Sequence, residues 1–466
     1  MNDDRYEPLA FDGSYVGPSL REWQKRAFGA WEDNGSSGVV EAITGTGKSL
    51  VGIAAIRQVI AEGGGALVLV PTRALLTQWQ GELRRKLPKA RVGAFTFGHS
   101  DSFRDYDVIV STVQSAHKNP PLPRSLGLLV ADEVHRYGSK NFSKALHPAF
   151  GRRLALSGTY ERQQDSGIED YLAPYFGPVV FNYGYREALQ DEVVSPFKIA
   201  LVSTTFSAAE RKIYENASKD ASDARMKLSR EYFYSDDWGE FFAQVQRRLK
   251  RQDDRYQSIW DTETELCSKC ISAFALRRST LAEARDKEYF VGKLGGVFDA
   301  LSGTLVFTET KHSANRLAFV INKRASTWPL TSDSSHSERE EKLRWFGRGK
   351  IKALCTPRIL DEGIDVPEAE LAVIVAASQT RRQMIQRMGR VIRLKAHGRE
   401  ARLVVLYVEN TSEDPFNGGH EAFLDEILPF AREQVAFSST EPELLSSWLS
   451  PATMPSLQLT ETSPYV

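Results

Sequence analysis

Two short stretches carry most of the chemistry legible in this chain. Ala42-Ile43-Thr44-Gly45-Thr46-Gly47-Lys48-Ser49 follows the apolar pair Val39-Val40 and has the make-up of a phosphate-binding loop. Glycines at 45 and 47 let the backbone curl around phosphate oxygens, so that successive N–H groups from Thr44 onward donate to them. Lys48 supplies a point charge for the β- and γ-phosphates, and the Ser49 hydroxyl suits Mg²⁺. A helix starting here aims its positive dipole end at the same anion. The second stretch, Leu128-Leu129-Val130-Ala131-Asp132-Glu133-Val134-His135, reads as a buried strand ending in two carboxylates. Asp132 at a strand tip suits Mg²⁺, usually through water, and Glu133 then orients and deprotonates an attacking water. The usual loop has a glycine where Ala42 stands, but an acidic turn alone explains neither the adjacent carboxylates nor the apolar run before them. Together the two stretches spell a nucleoside-triphosphatase site, with ATP and Mg²⁺ as the expected cofactors.

Such a site needs parallel strands to present it. Strand candidates are 37–41, 66–70, 107–111, 127–131 and 153–156. Leu75, Leu76, Trp79, Leu83 and Leu87 recur at helical spacing over 73–87. The alternation predicts a parallel sheet with helices on both faces and function at the strands' C-terminal ends. It repeats later, with strand candidates 303–308, 351–356, 371–376 and 402–408 and helical segments 312–324 and 338–347. The expected organisation is an ATP-binding α/β domain over 1–200, a helical insertion over 201–295, a second α/β domain over 296–437, and a loosely ordered Ser/Pro/Thr-rich tail over 438–466.

Bulk properties bound the partners. The 466 residues suffice for two or three domains, and 41% hydrophobic with 26% charged residues is ordinary globular composition. No apolar run approaches the ~20 residues that span a bilayer, and Met1–Tyr6 is too polar and acidic for a secretory signal. Three cysteines suggest a reducing compartment, cytoplasmic or nuclear. Cys267-Ser268-Lys269-Cys270 has the spacing of half a zinc site without a second half, so packing is the expected role. Sixty basic residues balance sixty acidic ones, so a nucleic-acid partner has to be argued from local patches. The insertion offers one. Arg247, Arg248, Lys250 and Arg251 follow Tyr232, Phe233, Tyr234, Trp238, Phe241 and Phe242. Most of these rings are expected to pack the insertion's own core, leaving an exposed one to stack on bases.

Further motifs fall into order around the two stretches. Leu20-Arg21-Glu22-Trp23-Gln24 precedes the loop; Val70-Pro71-Thr72-Arg73 and Val110-Ser111-Thr112 follow it, and Leu156-Ser157-Gly158-Thr159 comes after the carboxylates. Then come Val306-Phe307-Thr308-Glu309, the run from Thr356 through Leu360-Asp361-Glu362-Gly363-Ile364-Asp365-Val366-Pro367, and Gln386-Arg387-Met388-Gly389-Arg390-Val391-Ile392-Arg393. This set, over roughly residues 18–410, resembles superfamily 2 helicases of the DEAD/DEAH type, and among them the XPB-like branch. The resemblance implies two tandem RecA-like domains, with the insertion as a thumb. It gives Gln24 the adenine edge, Gly363 and Asp365 the ribose or γ-phosphate, and Arg390 and Arg393 the role of arginine fingers. His135, Ser157, Thr159 and Gln386 would couple the nucleotide site to nucleic acid. Pro71, Thr72, Arg73, Ser111, Thr112, Thr308 and Thr356 would grip the phosphodiester backbone.

Two departures qualify the likeness. After Thr159 the chain reads Tyr160-Glu161-Arg162-Gln163-Gln164-Asp165, where XPB-like proteins carry an Arg-Glu-Asp element associated with strand separation. Fewer than 20 residues precede the first motif, so the expectation is a bare motor without the family's N-terminal damage-recognition domain. The leading expectation is an ATP-dependent helicase or translocase on single-stranded or branched DNA. An RNA helicase is the alternative, and an ATP-gated motor subunit with a nuclease partner is a third reading.

Overall fold

The computed structural model describes residues 13–123, 125–160, 167–253, 262–357, 368–376, 400–417, 424 and 427–450. Among them two largely parallel sheets stand in sequence. The first comprises β1 (Ser37–Ala42), β2 (Gly65–Val70), β3 (Val92–Thr96), β4 (His99–Ser100), β5 (Val108–Thr112), β6 (Gly127–Asp132), β7 (Arg152–Ser157) and β8 (Val179–Tyr183), in the order β4-β3-β5-β2-β6-β7-β1-β8. The central strands β2, β5 and β6 are almost continuously buried. Their run of Val, Leu and Ile follows from helices covering both faces, which leaves no polar side for alternation. Counting helices of eight residues or more, α1 (Glu22–Asp33), α2 (Ser49–Ala61) and α3 (Arg73–Lys86) cover this sheet. Trp23 of α1 stacks on Tyr183 with ring centroids 4.5 Å apart, and the Trp31 indole N–H donates to Arg153 O at 3.0 Å. Thr72 caps α3 by accepting from Leu75 N, and Arg84, Arg85 and Lys86 complement the dipole at its other end.

The second sheet holds β9 (Phe197–Thr204), β10 (Thr304–Phe307), β11 (Thr327–Pro329), β12 (Ala353–Thr356), β13 (Leu371–Ile374), β14 (Ala401–Val408) and β15 (Glu433–Ser438), in the order β11-β12-β10-β13-β14-β9-β15. Between β9 and β10 run α4 (Ala208–Tyr232), α5 (Trp238–Asp253), α6 (Thr262–Ala282) and α7 (Arg285–Lys293). Later come α8 (Lys311–Ile321), α9 (His336–Gly347) and α10 (Pro442–Leu449). Contacts of Tyr234 with Glu263 and of Tyr214 with Leu281 make α4 and α6 an antiparallel pair. Among the described residues no helix is long and apolar enough to cross a membrane.

Two expected boundaries change. Residues 197–200, assigned by sequence to the first domain, open β9, which pairs with β14 over eight residues and with β15 over six. The insertion therefore interrupts the second domain, not the junction between the two. The tail expected to be loose from 438 contains α10, whose Leu445 and Leu449 are fully buried in the second domain's core. Residues 451–466 lie outside the described residues. If α10 is an integral part of that core, Leu445→Ala should destabilise the protein by about 2–5 kcal/mol, the usual cost of emptying a buried leucine site. Urea denaturation followed by circular dichroism measures this; a loss below about 0.5 kcal/mol would show α10 to be dispensable.

Candidate functional site

The loop between β1 and α2 is shaped as its glycines require. Gly45 and Gly47 have φ of 90° and 88°, in the left-handed region where other residues are strained. Ala42, standing where a glycine is usual, is the last residue of β1 and is fully buried, so its position needs no such freedom. Lys48 immediately precedes α2, and its Nζ lies 2.9 Å from Glu133 Oε1. Gln24 is buried beside the loop. Its amide nitrogen donates to Gly47 O at 3.0 Å and its carbonyl accepts from Arg21 N at 2.8 Å. A Cβ on Gly47 would sit 3.2 Å from that amide, a second reason for glycine there.

Asp132 ends β6 with only 6% of its surface exposed. Burial pushes its carboxyl above the ordinary range; Lys48 opposes this, the Glu133 charge adds to it, and two hydrogen bonds pull it back. Those bonds come from the Trp79 indole N–H to Oδ2 at 2.9 Å and from Glu133 N to Oδ1 at 3.0 Å. The Tyr137 hydroxyl donates to Asp132 O at 2.6 Å, fixing the strand tip from below. Glu133 itself takes a left-handed φ of 50°, which turns its side chain out of the strand and toward Lys48.

From Glu133 a polar chain runs to the tip of β7. Its Oε2 is 3.6 Å from His135 Nδ1, which is 3.2 Å from Ser157 Oγ. The Ser157 hydroxyl donates to Thr159 O at 2.7 Å and accepts from Thr159 N at 3.2 Å. With the serine proton so used, Nδ1 is the protonated nitrogen of His135. Its buried Nε2 has no partner among the described residues. Gly158 lies close by, and a Cβ there would be 3.0 Å from Thr44 Cγ2 and 3.7 Å from Lys48 Nζ. The structure thus brings Gln24, Thr44, Lys48, Asp132, Glu133, His135, Ser157 and Thr159 together. Trp79 and Gly158 are additions. Helical periodicity placed Trp79 in the core without saying what its N–H meets, and only the flanking residues of Ser157-Gly158-Thr159 had been given roles.

Residues assigned to nucleic acid stand at strand tips of both sheets. Pro71 follows β2, its carbonyl accepting from Gln114 Nε2 at 3.0 Å, and Arg73 is exposed at the start of α3. Thr112 Oγ1 pairs with Ser115 Oγ at 3.0 Å. Ser111 corrects an expectation. Its hydroxyl is fully buried and donates to Phe95 O at 2.7 Å, so the side chain serves the sheet and presents nothing to a phosphate. Thr308 and Thr356 lie at the tips of β10 and β12; the Thr308 hydroxyl donates to Thr310 O, while Thr356 Oγ1 is buried without a partner among the described residues. Gly363, Asp365, Gln386, Arg390 and Arg393 lie outside the described residues, as does the segment 161–166 after Tyr160.

The insertion's basic run is less free than its composition suggests. Arg247 pairs with Glu240, and Arg248 Nε lies 2.9 Å from Glu263 Oε2 on α6. Lys250 is exposed, and the Arg251 side chain lies outside the described residues. Phe241 is fully buried in a small core with Cys267 and Cys270, where burial pushes the Cys270 thiol up to about 11. Phe233 stands apart, 87% exposed at the left-handed C-cap of α4 with φ of 58°. Several ties from the base of the insertion run to the second domain. Lys287, fully buried, donates to Glu413 at 2.6 Å; Asp286 accepts from Thr205 N and Ser439 Oγ; Arg278 lies 2.8 Å from Glu309, beside Thr308.

Comparison with known proteins agrees with this geometry. Residues 17–162 match the family described as the res subunit of type III restriction enzymes, and residues 299–395 match the helicase conserved C-terminal domain. The "DNA 3'-5' translocase XPB2" of Sulfurisphaera tokodaii is 28% identical over 399 residues, covering 84% of this chain and 82% of the relative. The "DNA 3'-5' helicase XPB" of Mycobacterium tuberculosis is 25% identical over 88% of this chain, which spans 64% of that relative's length. The solved structure of S. cerevisiae Dbp5 bound to RNA and ADP BeF3 shares the fold with a TM-score of 0.57 at 15% identity, covering 92% of each chain.

The Trp79–Asp132 bond makes a prediction with a defined sign. Asp132 is a carboxyl raised on folding, so its ionisation costs stability as pH rises through its folded pKa. The indole N–H favours the charged form. Trp79→Phe should therefore destabilise by about 1–3 kcal/mol at pH above that value, and the deficit should shrink as acid protonates Asp132. Urea titrations on both sides of the transition measure it; a deficit that does not change with pH would mean the indole contributes only packing.

Proposed function

We propose that this chain, which belongs to the superfamily 2 helicases in their XPB-like branch, is an ATP-driven motor that translocates along DNA or unwinds it. The observation that carries the reading is the polar chain Lys48–Glu133–His135–Ser157–Thr159, which links a phosphate-binding loop to strand tips suited to a phosphodiester backbone. Names of the XPB relatives, DNA 3'-5' translocase and helicase, support DNA as the track and that polarity. Hydroxyls, backbone N–H groups and Arg73 suit a grip that ignores sequence, because every nucleotide presents the same phosphate.

In this reading the entering β- and γ-phosphates take Lys48 from Glu133, and the freed carboxylate accepts the proton of the attacking water. Water oxygen bonds to the γ-phosphorus as the bond to the ADP oxygen breaks, and Lys48 stabilises the charge that develops. Mg²⁺ fits the donors present. Asp132 and Ser49 offer hard oxygens, and a divalent cation beside the desolvated Asp132 carboxylate offsets its burial. When bound, the ion neutralises phosphate charge. The family resemblance assigns Arg390 and Arg393 to the γ-phosphate from the second domain, with Gly363 and Asp365 on the nucleotide and Gln386 in the coupling. Closure of the two domains around ATP then moves one grip relative to the other.

A second reading has its own support. The match of residues 17–162 to a restriction-enzyme motor subunit favours a motor that serves a nuclease partner with little unwinding of its own. Fork unwinding measured beside translocation on single strands separates the two.

Three measurements test the main proposal. Steady-state ATPase rates with equal-length single-stranded DNA, duplex, forked DNA and RNA should rise most with DNA; equal or greater stimulation by RNA would move the assignment to RNA. Lys48→Ala should abolish hydrolysis, whereas Glu133→Gln should hold ATP uncleaved, so equal loss of nucleotide affinity in both would undo the division of roles. For the insertion, Phe233→Ala combined with Lys250→Glu should reduce DNA affinity about tenfold or more, with basal ATPase intact. Unchanged affinity would make the insertion a spacer.

A further inference from the structure

Among the described residues the most exposed aromatic ring is that of Phe97, at 94%. It stands in the two-residue loop Phe97-Gly98 of the hairpin that joins β3 to β4, where Thr96 pairs with His99 and Phe95 with Ser100. Gly98 takes a φ of 97°, and a Cβ there would meet nothing within 4 Å, so this glycine serves the turn of the backbone and not packing. Tight turns of this kind favour Gly, Asn, Asp, Ser and Pro. Phe95, two residues earlier, already packs on the first domain's core, so the hairpin does not need the second ring to hold it down.

The support beneath that ring is braced from several sides. The Ser111 hydroxyl donates to Phe95 O at 2.7 Å, so the side chain that presents nothing to a phosphate fixes the strand that carries Phe97. The Asp101 carboxylate accepts from Ala94 N at 2.8 Å, and its own N–H donates to Ala94 O at 3.2 Å. From α3, Gln80 Nε2 donates to Gly93 O and the Arg84 guanidinium to Val92 O, both at 3.2 Å. That helix starts at Arg73 with Thr72 as its cap, so the hairpin and these two residues are tied into one body.

The parallel register puts the loop at the same end of the sheet as those residues. Phe95 is opposite Ser111, and Thr112 is opposite Val70. Phe97 therefore stands one residue beyond the level of Thr112 and Val70, at the level of Pro71. It lies one strand spacing from the tip of β5 and two from that of β2, each spacing about 4.8 Å. The tips of β2 and β5 and the hairpin loop of β3 thus follow one another along the sheet edge. Residues Thr96 to Ser100 include no carboxylate, so the loop itself offers no charge that repels a phosphodiester. We propose that Phe97 is a stacking platform for an unpaired base of a single DNA strand held at Thr72, Arg73 and Thr112. A ring on a braced support, in line with hydroxyls and an exposed arginine, supplies the base contact that those phosphate contacts lack. The proposal rests on the motor reading and adds to it a base contact on the first domain.

Fluorescence anisotropy of the full chain tests it with two labelled probes, an oligo-dT strand and an abasic strand of the same length, which keeps the phosphates and lacks the bases. Wild-type protein should bind oligo-dT more tightly. Phe97→Ala should lower oligo-dT affinity about tenfold or more and leave abasic affinity unchanged, while Phe97→Tyr, which keeps a ring, should retain the wild-type preference. The ring fills no core, so the urea midpoint of Phe97→Ala should match that of the wild type. Undiminished oligo-dT affinity in Phe97→Ala overturns the proposal, as does an equal loss on both strands, which would make the ring a support of the hairpin. Wild-type protein that bound neither strand, and whose ATPase no nucleic acid raised, would instead remove the motor reading itself.

Discussion

Burying a carboxylate at the end of a hydrophobic strand is the constraint on which the first domain turns. Asp132 follows five buried residues of β6 and has lost nearly all its water. An uncompensated charge there would cost several kcal/mol, and each compensation fixes another element. Trp79 must face the strand tip, which sets the rotation of α3. Lys48 must approach, which sets the start of α2 and the turn of the phosphate loop. Glu133 must give its N–H to Asp132, which forces the left-handed φ that swings its own carboxylate outward. The geometry that makes the site usable is thus the same geometry that makes the strand tolerable.

The second domain solves a different problem, that of holding a long helical insertion. Lys287 is fully buried and lies against Glu413, a pairing that is costly to desolvate and more costly to break. Around it, Asp286 joins the residue after β9 to the residue after β15, and Arg211 donates to the carbonyls of Glu409 and Asn410. Ties of this kind favour rigid attachment. Any motion between the two sheets then carries the insertion together with Thr308, because Arg278 and Glu283 tie α6 and the residue after it to Glu309 and Thr310.

Much of this was legible in the sequence because local patterns do local work. Gly45, Gly47, Lys48 and the Asp132–Glu133 pair announce their chemistry through spacing, and the apolar runs of β2, β5 and β6 announce a sheet covered on both faces. What escaped was non-local. Phe197–Thr204 falls outside the strand candidates of the sequence, and nothing within it says that its partners are β14 and β15. Trp79 falls on the buried face of α3 by periodicity, but the acceptor for its N–H lies on another strand. The tail's Ser/Pro/Thr content, averaged over its length, hides Leu445 and Leu449 one turn apart on α10. Gly363, Asp365, Gln386, Arg390 and Arg393, read from motif alone, rest on that reading.

The basic run of the insertion shows why charge composition misleads in a chain with no net charge. Arg247 and Arg248 look free in sequence, but one carboxylate seven residues back and another across the helix pair occupy them. Arg278 and Lys287 are engaged in the same way. Where cations are already paired, a phosphate has to displace a carboxylate to reach them, so little is gained by the exchange. In the motor reading, affinity for a backbone would then draw on the few exposed cations, such as Arg73 and Lys250, and on hydroxyls and N–H groups at strand tips, each a modest neutral contact. Contacts of that strength suit a protein that has to let go of its track at every step.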